Sequence, residues 1–123
     1  MQSRELIRHC SECIRAIQRS EWDDVEQKLK IVQARADELR AVINGYAELY
    51  HSGYTQDALK EVVEAHATFA LVRGQPLPTP DGLMVENDTY LNGLAEAATE
   101  LRRFIRRTLG LSPGERRRDH PYR

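Results

Sequence analysis

The stretch Ser20–Ile43, "SEWDDVEQKLKIVQARADELRAVI", decides the fold. Trp22, Val25, Leu29, Val32, Ala36, Leu39 and Ile43 recur at alternating spacings of three and four, which places them on one stripe of an α-helix. A stripe held this long fits a helix packed lengthwise against a neighbour. Ser20 stands where an N-cap is expected, and Asp23, three residues on, faces the positive helix end. The seam is expected to continue through Tyr46, Leu49 and Tyr50 despite Gly45.

The same periodicity extends on both sides. Leu6, Cys10, Cys13, Ile14 and Ile17 predict a helix from about Ser3, its expected cap, to Arg19. "YHSGYT" reads as a break with Thr55 as cap, followed by a helix to Arg73 with Leu59, Val62, Val63, His66, Phe69 and Ala70 on one broad face. "GQPLPTPDG" reads as a loop, because its prolines prevent helix continuation. Asn87 is the expected cap of a last helix over Asp88–Leu109, with Leu91, Leu94, Ala95, Ala98, Leu101 and Ile105 as its apolar face and Gly110 and Pro113 beyond its end. No alternating β-type run occurs. The expected fold class is therefore all-α, an antiparallel helical bundle of about four long helices. Leu71, Val72 and Phe104 lie off the main faces, which points to burial against another chain or against helices this chain lacks.

Of the 123 residues, 41% are hydrophobic and 30% charged, the composition of a globular protein rather than a disordered one. No apolar run is long enough for a membrane span, so no membrane partner is expected. "MQSRELIRHC" lacks a signal-peptide core, and the expected location is cytoplasmic. Cys10 and Cys13 fall on one helix face among Leu6, Ile14 and Ile17, which reads as buried free thiols; no second pair completes a zinc site. Charge is uneven: residues 1–101 carry ten Lys/Arg against seventeen Asp/Glu, and residues 102–123 carry eight Arg against two acids. The expected organisation is one helical domain over 1–110 and a basic tail over 111–123, either a solubilising end or a nucleic-acid contact.

The carboxylates carry the functional question. At 3.6 residues per turn, Glu61 lies about 140° and Glu64 about 160° from the centre of their helix's apolar face, one turn apart. Glu96 and Glu100 repeat the arrangement on the last helix, followed by Arg103 and Arg107. Spacing leaves two readings open. The first is a solvated face with an ordinary Glu100–Arg103 surface ion pair. In the second, the two faces meet and up to four carboxylates hold Mg²⁺ or Mn²⁺, ions that prefer oxygen ligands. His9 and His51 read as peripheral, His120 falls in the tail, and His66 reads as a hydrogen-bonded core residue. No P-loop, glycine fingerprint or HExxH occurs.

Four stretches, "RHCSECIRAI", "EWDDVEQKLKIVQ", "YHSGYTQDALKEVVEAHATFALVRGQPLP" and "YLNGLAEAATELRRFI", resemble the translin family in order, over roughly residues 4–109. The resemblance implies an all-α protomer that assembles into hollow homo-oligomers, often octamers, around RNA or single-stranded DNA. The type represented by translin-associated factor X is a Mg²⁺-dependent endoribonuclease; plain translin binds nucleic acid with little or no cleavage. The family's two acidic motifs fall on Glu61 and Glu64 in "KEVVEAH" and on Glu96 and Glu100 in "AEAATEL", which makes these four the expected metal ligands and catalytic residues. Position 96 is Glu where the nuclease type usually has Asp. Arg73, Arg103, Arg106 and Arg107 are the expected phosphate contacts, while Tyr46, Tyr50 and Tyr54 could stack on bases but read first as packing. The chain is shorter than usual members: "LSPGERRRDHPYR" stands where the family's last helices follow, so the fold is expected as a truncated or frameshifted form with a smaller or equal oligomer. The implied function is a metal-dependent ribonuclease acting on single-stranded or small RNA, or a non-catalytic RNA/single-stranded DNA binding protein.

Overall fold

A computed structural model describes residues 2–110; the 111–123 tail expectation lies outside them. Four long helices form the bundle: α1 (Gln2–Gln18), α2 (Trp22–Ile43), α4 (Gly53–Arg73) and α6 (Asn87–Thr108). Two single-turn helices, α3 (Ala47–Tyr50) and α5 (Pro80–Leu83), sit in the connections. The all-α architecture matches the expectation from periodicity, with helix ends displaced by one or two residues.

The α2 seam behaves as read. Val25, Val32, Ala36, Leu39 and Ile43 are buried against Leu6, Cys10, Cys13, Ile14 and Ile17 of α1, with Trp22 and Leu29 packed at the margin. Both cysteines are free and buried. Burial pushes the Cys13 thiol up to about 12 and the Cys10 thiol further still, so neither is a thiolate at neutral pH.

Several local expectations are corrected. Ser3 lies inside α1 rather than capping it, and Glu86 rather than Asn87 holds the N-cap position of α6. Ser20 does not cap α2: it takes a left-handed φ of 57° and donates its N–H to the Ile17 carbonyl, ending α1. The N-cap is Glu21, whose side chain makes no capping hydrogen bond. Helix α2 stops at Ile43 because Gly45 adopts φ 85°, and α3 restarts the chain as a separate turn. Ser52, rather than Thr55, caps α4, its hydroxyl accepting the Thr55 N–H at 3.3 Å. The proline-rich loop contains the single turn α5, because Thr79 caps it and Pro80 fits its first position.

Helix α4 is the centre of the molecule. It contacts α1 and α2 on one side and α6 on the other. Ala58, Val62 and Ala65 therefore join the α1–α2 core, while Leu59 and Val63 form a second cluster with Leu83 and Val85. With two sides covered, Glu64 and Thr68 on its polar-reading face are buried too.

Helix α6 packs the opposite way round from the expectation. Its buried positions are Thr89, Gly93 and Ala97, four residues apart, and Glu96 and Glu100 flank them half-buried. Leu91 and Ile105 of the apolar stripe are 61% and 46% exposed, and Ala95 and Ala98 between them are exposed as well. The physical reason is close approach. A Cβ on Gly93 would stand 2.6 Å from Val63 Cβ and 2.8 Å from the Lys60 carbonyl oxygen, so only glycine lets the α6 backbone rest on α4. Phe104 and Val72, read as facing other chains or missing helices, have partners inside the chain. The Phe104 ring lies 6.4 Å from that of Trp22, and Val72 packs on the α1–α2 core. No helix among the described residues is long and apolar enough to cross a membrane.

Gly93→Ala is expected to destabilise the fold by about 1–3 kcal/mol, the cost of overpacking a tight contact, read as a lower midpoint in denaturant. An unchanged midpoint would contradict the close approach of α6 to α4.

Candidate metal centre

Glu61 and Glu64 occupy successive turns of α4, and Glu96 sits one turn beyond Gly93 on α6. Each offers a carboxylate oxygen, and these oxygens all lie within 4.8 Å of one another. The Gly93 contact brings this about, by setting α6 against α4 at the level of Lys60 and Val63. The longer Glu side chain at position 96 therefore still reaches the cluster.

One cation faces the three acids. Lys60 Nζ donates to Glu96 Oε2 at 2.8 Å and stands 3.9 Å from Glu61 Oε2. The hydrogen bond with Glu96 raises Lys60 above its ordinary value and keeps it charged. A single lysine does not offset three carboxylates, and their proton affinities are displaced accordingly. Burial first, then hydrogen bonds and repulsion from Glu96 and Glu61, push Glu64 up to about 9. Burial also raises Glu61. Burial pushes against the charge on Glu96 as well, but hydrogen bonds from Glu64 and Lys60 outweigh it and hold that carboxylate below its ordinary range. Without an ion, Glu64 is the group that keeps a proton, and it donates this proton to its neighbours.

This arrangement suits a hard divalent ion. The donors are all oxygens, they come from two helices fixed by packing, and they hold more negative charge than the protein neutralises, as Mg²⁺ and Mn²⁺ sites require. Neither cysteine thiol is a ligand atom of this cluster.

Glu100 does not share the cluster. Its carboxylate accepts from Gln18 Nε2 at 2.9 Å and from Arg103 Nη1 at 2.9 and 3.0 Å, and its backbone carbonyl accepts a second Gln18 contact at 3.0 Å. The ion pair with Arg103 is thus the surface pair expected from spacing, strengthened by a clasp to α1. Glu100 nevertheless lines the same cleft as Glu61 and Glu64, with Arg103 and Arg107 on its rim. Arg106 is half-buried on α6. Arg73 stands apart, its guanidinium 4.5 Å above the Trp22 ring. His66 donates from Nδ1 to the Val62 carbonyl at 3.0 Å, as its core reading requires. Tyr50 packs between the two core clusters, whereas Tyr46 and Tyr54 are exposed. The role of Gln18 was not legible in the sequence, because no helical periodicity reveals a partner on a distant helix.

No protein-family model and no curated protein matches this sequence. Among solved structures, the chain matches NeC3PO in its apo form with a TM-score of 0.79 at 20% identity, covering 88% of this chain and 57% of that one. The chain therefore spans little more than half the length of that structure. The likeness is one of fold, and it bears out the all-α bundle of four long helices expected from the sequence.

A carboxyl raised above its ordinary value binds a proton in the folded state that the unfolded chain has released. Its contribution to stability is complete below the ordinary value and falls as pH rises toward 9. In metal-free chelating buffer, Glu64→Gln is accordingly expected to melt about 5 °C or more above the native chain at pH 8, with the gap closing toward pH 5. Equal or lower melting at pH 8 would refute a protonated Glu64.

Proposed function

We propose that this chain is a metal-dependent ribonuclease acting on single-stranded or small RNA, with Glu61, Glu64 and Glu96 as ligands of Mg²⁺ or Mn²⁺. The observation that carries the proposal is the convergence of three half-buried or buried carboxylates, from two helices, within 4.8 Å. A divalent ion held there supplies Lewis acidity that stabilises negative charge on phosphoryl oxygens. The chain's own residues do the rest. Glu64 would have to give up its proton to hold an ion, which would couple ion binding to proton release. Lys60 fixes the Glu96 carboxylate and offsets part of its charge. Glu100 acts at one remove, holding Arg103 and tying α6 to Gln18 of α1. Arg103, Arg106 and Arg107 are proposed to contact the phosphate backbone; Arg73, stacked on Trp22, is the most removed of the four arginines expected to do so.

The protein is also proposed to form a homo-oligomer, octameric or smaller. The outward apolar stripe of α6 supports this, since Leu91 and Ile105 would be covered by a neighbouring copy. Free buried thiols suit a reducing, cytoplasmic setting. A second reading, RNA or single-stranded DNA binding without cleavage, is favoured by Arg103 and Arg107 beside the cleft.

The test is cleavage of labelled single-stranded RNA by the full chain in Mg²⁺, in Mn²⁺ and in chelator, after light scattering has fixed its mass. Cleavage is expected with either ion, none in chelator, and a loss of at least about a hundredfold in Glu64→Gln, the scale for removing one electrostatic group from a catalytic centre. RNA that is bound but left intact in both ions would establish the non-catalytic reading.

A further inference from the structure

The cleft beside the carboxylates has a second wall, built from a helix that carries none of the acids. Its volume is about 490 Å³, and α1, α4 and α6 line it. From α1 come Ser11, Arg15 and Gln18, with Arg19 just past its end; from α6 come Glu100, Arg103 and Arg107. Four guanidiniums thus border one opening, two from each wall. Arg19 pairs with Glu21 at 3.3 Å and Arg103 with Glu100. Arg15 and Arg107 are exposed, and among the described residues their side chains form no hydrogen bond or ion pair.

Gln18 sets the spacing of the walls. Its amide donates to both the backbone and the side chain of Glu100, which clasps α1 to α6 at the base of the opening. Along α6 the order is Glu96 in the acid cluster, Glu100 in the clasp, then Arg103 and Arg107. At 1.5 Å rise per residue, these arginines stand about 10 and 16 Å beyond Glu96 along the axis. An anionic chain with one phosphate at the carboxylates would run directly into the arginines.

We infer that Arg15 of α1 and Arg19 just past its end, facing Arg103 and Arg107 of α6, form a phosphate clamp that grips a single nucleic-acid strand by its backbone next to the carboxylate cluster. The inference rests on the proposed ribonuclease reading for what the cluster does, but the clamp itself stands on the cleft's own chemistry. Residues 1–101 carry a net charge of −7, a body that repels nucleic acid, so approach needs a locally positive mouth. Among the described residues no aromatic side chain lines the cleft, which leaves phosphate and sugar contacts rather than base stacking. Recognition is therefore independent of base sequence and strongly dependent on salt. At about 490 Å³ the cleft is of small-ligand size, room for a short stretch of one strand.

The experiment measures binding of a short labelled oligouridine and a matching oligothymidine by the full chain in chelator, where no cleavage intervenes, across a salt series. Arg15→Gln combined with Arg107→Gln is expected to bind both oligomers more weakly and to flatten the slope of log affinity against log salt by about 1.4, or 0.7 for each phosphate of a single strand that is no longer neutralised. Arg35→Gln, on α2 and paired with Glu38, is the control and should leave the slope unchanged. Circular dichroism confirms the fold of each variant. An unchanged slope in the double variant overturns the clamp, as does equally tight binding of a duplex, or no binding by the native chain at low salt. Cleavage in Mn²⁺ alongside an unchanged slope would remove the clamp and keep the nuclease. A flattened slope in a chain that cleaves nothing would keep the clamp and remove the nuclease.

Discussion

The contact of Gly93 with the backbone of α4 at Lys60 is the constraint on which the site depends. At that point α6 comes too close to α4 for any Cβ. One turn further along α6, Glu96 then meets Glu61 and Glu64, and another turn on, Glu100 meets Gln18 of α1. A larger residue at position 93 would push α6 outward and open the carboxylate cluster. Packing and chemistry are therefore set by one missing side chain.

That packing has an electrostatic cost. Helix α4 is covered on two sides, so Glu64 is buried in a position where an ordinary helix would expose it. Burial and neighbouring acids leave it protonated near neutral pH, and Lys60 compensates Glu96 and, more distantly, Glu61. Clustered acids that weaken the fold are a common mark of a functional site, where stability is given up for chemistry. The same cluster becomes favourable once a divalent cation supplies the missing positive charge.

Much of the bundle was legible in the sequence. The Trp22–Ile43 seam and the α1 stripe pack as their periodicity implies, and the cysteines are buried where that stripe places them. The four glutamates were found as two pairs on two helices. Their burial was not legible, because angle alone places Glu64 opposite the main stripe of α4 and cannot show that a second helix covers that side. The inversion of α6 was missed for a related reason. Leucines and isoleucine outweigh Gly93 and Ala97 on any hydrophobicity scale, yet small residues govern how closely two helices approach. A row reading Thr89, Gly93, Ala97 at spacing four was the signal that could have found it. Ser20 misled because a good capping residue also suits the end of the preceding helix, and its left-handed backbone shows which role prevailed. Arg15 on α1 and Arg19 just beyond it are far in sequence from the acids, and only the fold brings them to the same cleft.

The most direct test of the central claim is a crystal of the full chain soaked in Mn²⁺ and measured at the manganese absorption edge. An anomalous peak bonded to carboxylate oxygens of Glu61, Glu64 and Glu96, and absent from Glu64→Gln crystals, is the predicted result. Diffraction showing the three carboxylates without a peak between them, at saturating Mn²⁺ and alkaline pH, would contradict it.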